Sequence, residues 1–166
     1  MRTRNATLFL CSVLCLAVFC AFGGLDEREP APRFVAKTVA GEKFTNESVK
    51  GKVVLLQFWT TWCQYCRSEQ SLVDTLNDEF SAKGLLVLAV DVGESKKKVG
   101  KYLEENPRSC RIVLTEDTNL AARFAATRYP IYVVIDREGN IVGTQRGAAG
   151  EGALRRLLSR AGIESE

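Results

Sequence analysis

The sequence predicts an α/β fold in which a central mixed sheet is flanked by helices, and three observations carry that expectation. The run Val53 to Phe58 is apolar except for Gln57, and Leu85 to Val90 is wholly apolar, as strands covered on both faces require. Between them Leu72, Val73, Leu76 and Phe80 recur at helical spacing up to Gly84, a residue type that ends helices. The order is therefore strand, helix, strand, which implies a right-handed parallel crossover. Further on, Ile131 to Ile135 reads as a strand that the segment DREGN turns back into Ile141 and Val142, an antiparallel hairpin.

The remaining elements follow in chain order. Arg2 and Arg4 precede an uncharged apolar run, Ala6 to Phe22, that ends in Gly23 and Gly24. This is the pattern of an export segment, so residues 1–23 read as a signal peptide or an N-terminal membrane anchor. Cys20 raises lipid attachment as a third option, which the bulky Phe19 before it opposes. Residues 24–32 are charged and carry Pro30 and Pro32, which suits a linker. Residues 33–166 are then one folded domain, long enough to bury a core without metal or several disulfides. Within it, Phe34 to Thr45 alternates about Ala40, Gly41 and Glu42 as an N-terminal β-hairpin. After Asp91 come a helix through Glu105, a short strand at Arg111 to Leu114 and a helix from about Asn119 to Ala126. Leu154, Leu157 and Leu158 belong to a closing helix.

Composition excludes several chemistries. The formal charge of +3 loses Arg2 and Arg4 if the export segment is removed, and the other charges are mixed in sign, so no nucleic-acid footprint exists. The run Lys96, Lys97, Lys98 lies in an amphipathic helix with acids on both sides and reads as a solvated face. The chain has no histidine, which removes Ser-His and Cys-His nucleophiles; c-type haem attachment is excluded because Arg67 stands where that motif needs histidine. Of six cysteines, Cys11, Cys15 and Cys20 lie in the export segment, leaving Cys63, Cys66 and Cys110 for the domain. Three thiols cannot form a disulfide framework. Cys110 has no partner in sequence and reads as a buried, inert thiol.

The chemistry concentrates in FWTTWCQYC. Cys63 falls where the first central strand ends and a helix begins, and unpaired N–H groups there favour the thiolate, the form that attacks disulfides. Cys63 is thus the candidate nucleophile. Cys66 lies one turn further on, placed to attack a mixed disulfide at Cys63 and release the substrate. Two buried cysteines sharing this spacing, or half a zinc site, are the alternatives; neither a second CxxC nor a histidine exists to complete a tetrahedral site, so no metal is expected.

From about Ala31 to its C-terminus the chain resembles the thioredoxin superfamily, specifically its exported, AhpC/TSA-related TlpA and ResA-like branch, which includes the cytochrome c maturation thioredoxins. Ala31-Pro32, Gly51-Lys52, FWTTWCQYC, DVGES and YPIYVVID with its Gly-containing turn carry the resemblance. It implies a four-helix thioredoxin-like fold with an inserted strand and helix, matching the extra segment from Asp91 to Glu116. It implies that Pro130 is a cis-proline opposite the dithiol, that the Tyr129 backbone pairs with a bound peptide while its ring lines the groove, and that Trp62 touches substrate while Trp59 packs. Glu69 matches an acid thought to influence thiol pKa in this branch, with a solvated helix glutamate as the alternative. No cofactor is implied beyond the redox-active disulfide Cys63–Cys66. The implied partners are disulfide-containing exported proteins and a membrane thiol-electron carrier of the DsbD or CcdA kind, in an extracytoplasmic setting.

Three departures from the pattern matter. Gln57 stands where cytoplasmic thioredoxins bury a proton-accepting aspartate, and a neutral amide cannot be that base, leaving Glu69 or water. Gln64 and Tyr65 replace the usual dipeptides between the cysteines. Ser71 replaces a helix-kinking proline and Ile131 a threonine. The expected activity is reduction of disulfides in exported proteins, apocytochrome c among them. A disulfide oxidant or isomerase, a peroxiredoxin-like peroxidase suggested by Thr60 three residues before Cys63, and a non-catalytic binding module are the competing readings.

Overall fold

A computed structural model describes residues 28–164. The stretch read as an export segment and the first residues of the stretch read as a linker lie outside the described residues. Eight strands form one sheet: β1 Glu29–Pro30, β2 Val35–Thr38, β3 Lys43–Thr45, β4 Val53–Trp59, β5 Leu85–Asp91, β6 Arg111–Thr118, β7 Ile131–Ile135 and β8 Asn140–Arg146. Their order across the sheet is β1-β8-β7-β4-β5-β6-β2-β3. The central trio β4, β5 and β6 is parallel, and β7, β8 and the β2–β3 hairpin are antiparallel to their neighbours, so the sheet is mixed. The helices are α1 Gln64–Ser68, α2 Gln70–Phe80, α3 Lys96–Glu105, α4 Leu120–Arg123 and α5 Gly150–Arg160. Among the described residues no helix is long and apolar enough to cross a membrane.

Every residue of β4 and β5 is buried, because alternate side chains feed two cores. Val53, Leu55, Trp59, Leu85, Val87 and Ala89 pack against Val73, Leu76 and Phe80 of α2, Val99 of α3 and Leu154 and Leu158 of α5. Val54, Leu56, Phe58, Leu86, Leu88 and Val90 face Phe34, Ala36, Val49 and Leu120 on the other side. This two-sided burial places the C-terminal ends of β4 and β5 side by side, with Trp59 paired to Asp91. Chemistry at that edge is assembled from loops leaving a rigid platform.

Several elements depart from the sequence expectation. The first helix is two: Glu69, at φ −100° and ψ 4°, is both the C-cap of α1 and the N-cap of α2, so the break occurs without proline, two residues before Ser71. β6 continues to Thr118, beyond the expected Leu114, because β2 pairs along it at Thr38↔Val113 and Ala36↔Thr118. The helix expected from Asn119 to Ala126 closes at Arg123, since Ala125 takes a left-handed φ of 46° and turns the chain toward β7. Glu29 and Pro30, read as linker, form the edge strand β1, and the Ala31 N–H donates to the Gly139 carbonyl at 2.9 Å. Proline suits such an edge, where no donor is needed.

Candidate active site

Cys63 is the N-cap residue of α1, in extended conformation at φ −76° and ψ 108°, and its Sγ accepts a hydrogen bond from the Cys66 N–H at 3.1 Å. The chain reaches this position straight from β4 through Thr60, whose carbonyl accepts from the Cys63 N–H at 3.3 Å. α1 spans a single turn and a half, so one directed N–H, more than a long helix dipole, is what would stabilise a Cys63 thiolate. Cys63 and Cys66 are joined as a disulfide with Cα atoms 5.2 Å apart, and they are 6% and 2% exposed. The structure brings the two expected thiols together at the end of a buried strand.

The remaining expected residues differ in exposure and in contacts. The Tyr129–Pro130 bond is cis. Trp62 stands 65% exposed, its ring 6.2 Å from that of Tyr129 at an edge-on 76°. The Tyr129 hydroxyl donates to the Ala126 carbonyl, which holds the ring against its own loop, and burial and then the charge of Asp91 push its phenol up. Beside Tyr129 opens a cleft of about 490 Å³ lined by Tyr65, Arg128, Arg146 and Gly147 among others. Thr60 Oγ1 is buried and makes no hydrogen bond to Cys63.

Glu69 is not a solvated helix residue. It is 8% exposed; Oε2 accepts from the Tyr132 hydroxyl at 2.7 Å, and Oε1 accepts from the Ala149 and Gly150 N–H groups at 2.8 and 2.5 Å. Those amides open α5, so a carboxylate at the α1–α2 joint caps the closing helix. Beyond Tyr132 a buried polar chain continues. Gln57 Nε2 faces the Tyr132 hydroxyl at 3.4 Å, and Arg108 donates to Gln57 Oε1 at 3.1 Å and to Asp74 Oδ2 at 2.8 Å. Arg108 also lies over the Trp59 ring, 5.6 Å from its centroid. Burial, with Glu69 adding its hydrogen bond and charge, pushes the Tyr132 phenol far up, so it is a donor at all ordinary pH. Gln57 thus occupies the centre of a satisfied network where an aspartate would face Tyr132 and Glu69.

Tyr132 and Arg108 were not legible from the sequence, because a tyrosine in an apolar strand and an arginine in a loop signal nothing until the fold aims them inward. Asp91 and Glu94 were likewise missed as chemistry, although an aspartate closing a wholly apolar run was a signal. Asp91 is 0% exposed at the end of β5, and burial first, then the neighbouring Glu94, pushes its carboxyl up to about 8. Glu94 is held below the usual carboxylate range: burial raises it, but hydrogen bonds from Lys98 and Thr61 outweigh that. Cys110 is buried and free, its thiol pushed up to about 12 chiefly by burial, as an inert packing cysteine should be.

Known proteins align with this arrangement over most of the chain. A thiol-disulfide oxidoreductase ResA from Bacillus subtilis is 28% identical, covering 96% of this chain and 90% of that protein. The thioredoxin-like protein YneN of the same organism is 34% identical over 71% of this chain and 70% of its own. Among solved structures, a thioredoxin family thiol:disulfide interchange protein from Chlorobium tepidum superposes with a TM-score of 0.72 at 27% identity, covering 83% of this chain and 99% of that one. Because the model of the AhpC/TSA family matches residues 28–144 and the Cys63–Cys66 pair sits at the helix start this fold provides, the chain belongs to that thioredoxin-like family and is a thiol-disulfide oxidoreductase.

Proposed function

We propose that this oxidoreductase acts outside the cytoplasm as a reductant of disulfides in exported proteins, with apocytochrome c as one such substrate. The observation that carries the dithiol assignment is the Cys66 N–H aimed at Cys63 Sγ at 3.1 Å, a donor that favours the thiolate on Cys63 and on no other sulfur of the pair. The export setting draws on the apolar run Ala6 to Phe22 behind Arg2 and Arg4. A membrane thiol-electron carrier of the DsbD or CcdA kind would return the electrons.

The reaction balances as two exchanges. The Cys63 thiolate attacks one sulfur of the substrate disulfide, forming a mixed disulfide and expelling a substrate thiolate that takes a proton from water. Cys66 then loses its proton and attacks Cys63 Sγ, forming the Cys63–Cys66 bond and expelling the second substrate sulfur as a thiolate that takes a proton from water. Pro130 and the Tyr129 backbone would hold the substrate strand, and Trp62, exposed beside Cys63, would cover it. Glu69, with both oxygens engaged, would act on Cys66 by fixing the end of α1, and a proton leaving Cys66 would pass to water.

The test is a redox titration of the full chain together with a trap. A reduction potential near that of thioredoxins, about −270 mV, supports reduction, and one near about −120 mV identifies an oxidant instead. Cys66→Ala should accumulate mixed disulfides through Cys63; accumulation through Cys110 would overturn the assignment of roles.

A further inference from the structure

The end of β5 and the loop after it bring two carboxyls, Asp91 and Glu94, to the segment that carries Cys63, and their geometry leaves one oxygen without a donor. Glu94 grips that segment: Oε2 accepts from the Thr61 N–H at 2.5 Å and Oε1 from the Thr61 hydroxyl at 2.8 Å, with Lys98 Nζ at 2.6 Å from Oε1. The Asp91 carboxyl is fully buried beneath it; Oδ1 accepts from the Glu94 N–H at 3.3 Å, whereas Oδ2 has no donor partner. The Glu94 N–H bond to Asp91 Oδ1 brings the two acidic residues together, and each carboxyl acts on the ionisation of the other. Two carboxylates cannot bond to one another; a carboxylic acid and a carboxylate can. A proton on Asp91 Oδ2, donated toward Glu94, satisfies the orphan oxygen and removes a repulsion between two buried charges.

We propose that Asp91 and Glu94 share one proton, and that this pair positions the Cys63 segment through the two hydrogen bonds Glu94 accepts from Thr61. The proton belongs on Asp91 because Lys98 and Thr61 bond directly to Glu94 and stabilise its charge, while Asp91 accepts only the longer bond from the Glu94 N–H. The charged and titratable groups facing Asp91 are Glu94 from the loop that follows β5, Lys98 from α3 and Tyr129 from the loop before β7. Loss of the shared proton sets two carboxylates against each other and loosens the grip on Thr61, two residues before Cys63. Cys63 reactivity then falls. This inference rests on Cys63 being the attacking thiol, and its direction is the same for a reductant or an oxidant. The burial-raised Asp91 carboxyl puts the transition near pH 8.

The experiment uses the reduced full chain and two readouts. Infrared titration should show a protonated-carboxyl band that disappears with a midpoint near pH 8 and is missing in Asp91→Asn. Glu94→Gln should move that midpoint down, since the neighbouring carboxylate that raises it is gone. Iodoacetamide labelling of each cysteine, read by mass spectrometry and corrected for thiolate fraction, should show Cys63 reactivity in the native sequence falling about fivefold relative to Asp91→Asn across the same midpoint, the worth of one lost hydrogen bond. The amide that Asp91→Asn introduces still donates to Glu94 but cannot titrate. Absence of the band, or its survival in Asp91→Asn, would refute the shared proton. A titrating band with superimposable Cys63 profiles would refute positioning. A titrating band with Cys66 as the labelled thiol would instead overturn the nucleophile assignment and leave the pair standing.

Discussion

Replacing Glu69 with alanine tests whether the carboxylate at the α1–α2 joint holds the fold together around the dithiol. Glu69 accepts from the Tyr132 hydroxyl, the Ala149 N–H and the Gly150 N–H, and it is 8% exposed. In Glu69→Ala the fully buried Tyr132 hydroxyl keeps Gln57 at 3.4 Å as a neighbour but loses its acceptor. An orphaned buried donor costs about 1–3 kcal/mol. Water replaces the acceptor at the exposed Gly150, so the uncapped start of α5 costs about 1 kcal/mol more. The expected loss is about 3 kcal/mol, or about 6–12 °C in Tm for a domain of this size. Thermal unfolding of the oxidised protein, followed by circular dichroism, measures it directly. Glu69→Gln should lose less than half as much, because one amide oxygen still accepts from both α5 N–H groups. A Tm for Glu69→Ala within about 2 °C of the parent would show that these three hydrogen bonds do not stabilise the fold, and the account of Glu69 as an anchor would fail.

Other consequences are open to equally direct measurement. Trp62→Ala should leave stability within about 0.5 kcal/mol of the parent, because the ring is 65% exposed, yet slow insulin reduction about two- to tenfold through loss of an aromatic contact. An unchanged rate would remove Trp62 from the substrate surface. Cys110 should resist iodoacetamide at pH 8 in the native state and react on unfolding, since its thiol is pushed up to about 12 from an ordinary 9.0. Labelling of native Cys110 at a free-thiol rate would contradict its burial. Asp91 carries a sign that can be checked. Its carboxyl is raised from 3.8 to about 8 on folding, so the folded state holds a proton the unfolded chain has lost, and stability is drained as pH rises through that window. Asp91→Asn should therefore gain Tm over the parent progressively between those values and level off above them. A difference in Tm that does not change with pH would show that Asp91 is ionised in the folded protein.

Much of this protein was determined by local pattern. The apolar runs at Val53 and Leu85, the helical spacing from Leu72 to Phe80 and the turn before Ile141 required a two-sided sheet with a crossover, because alternation and spacing are backbone geometry written in residue types. The position of Cys63 between such a strand and a helix followed from the same signals. Boundaries set by distant partners did not: β6 runs to Thr118 because β2 lies beside it, and Pro30 is a strand residue because β8 offers an edge.

The chemistry around the dithiol was decided by the tertiary structure alone. Glu69, read as either a functional acid or a solvated one, became the acceptor of three donors once β7 and α5 closed over it. Arg108, Gln57 and Tyr132, spread over 75 positions of chain, form one buried network only because three separate elements converge there. The same holds for Asp91, whose charge state is set by burial and by Glu94, three residues on in the chain. Periodicity reports which face a residue takes, whereas desolvation and the partners of a buried polar atom depend on what the completed fold packs against it.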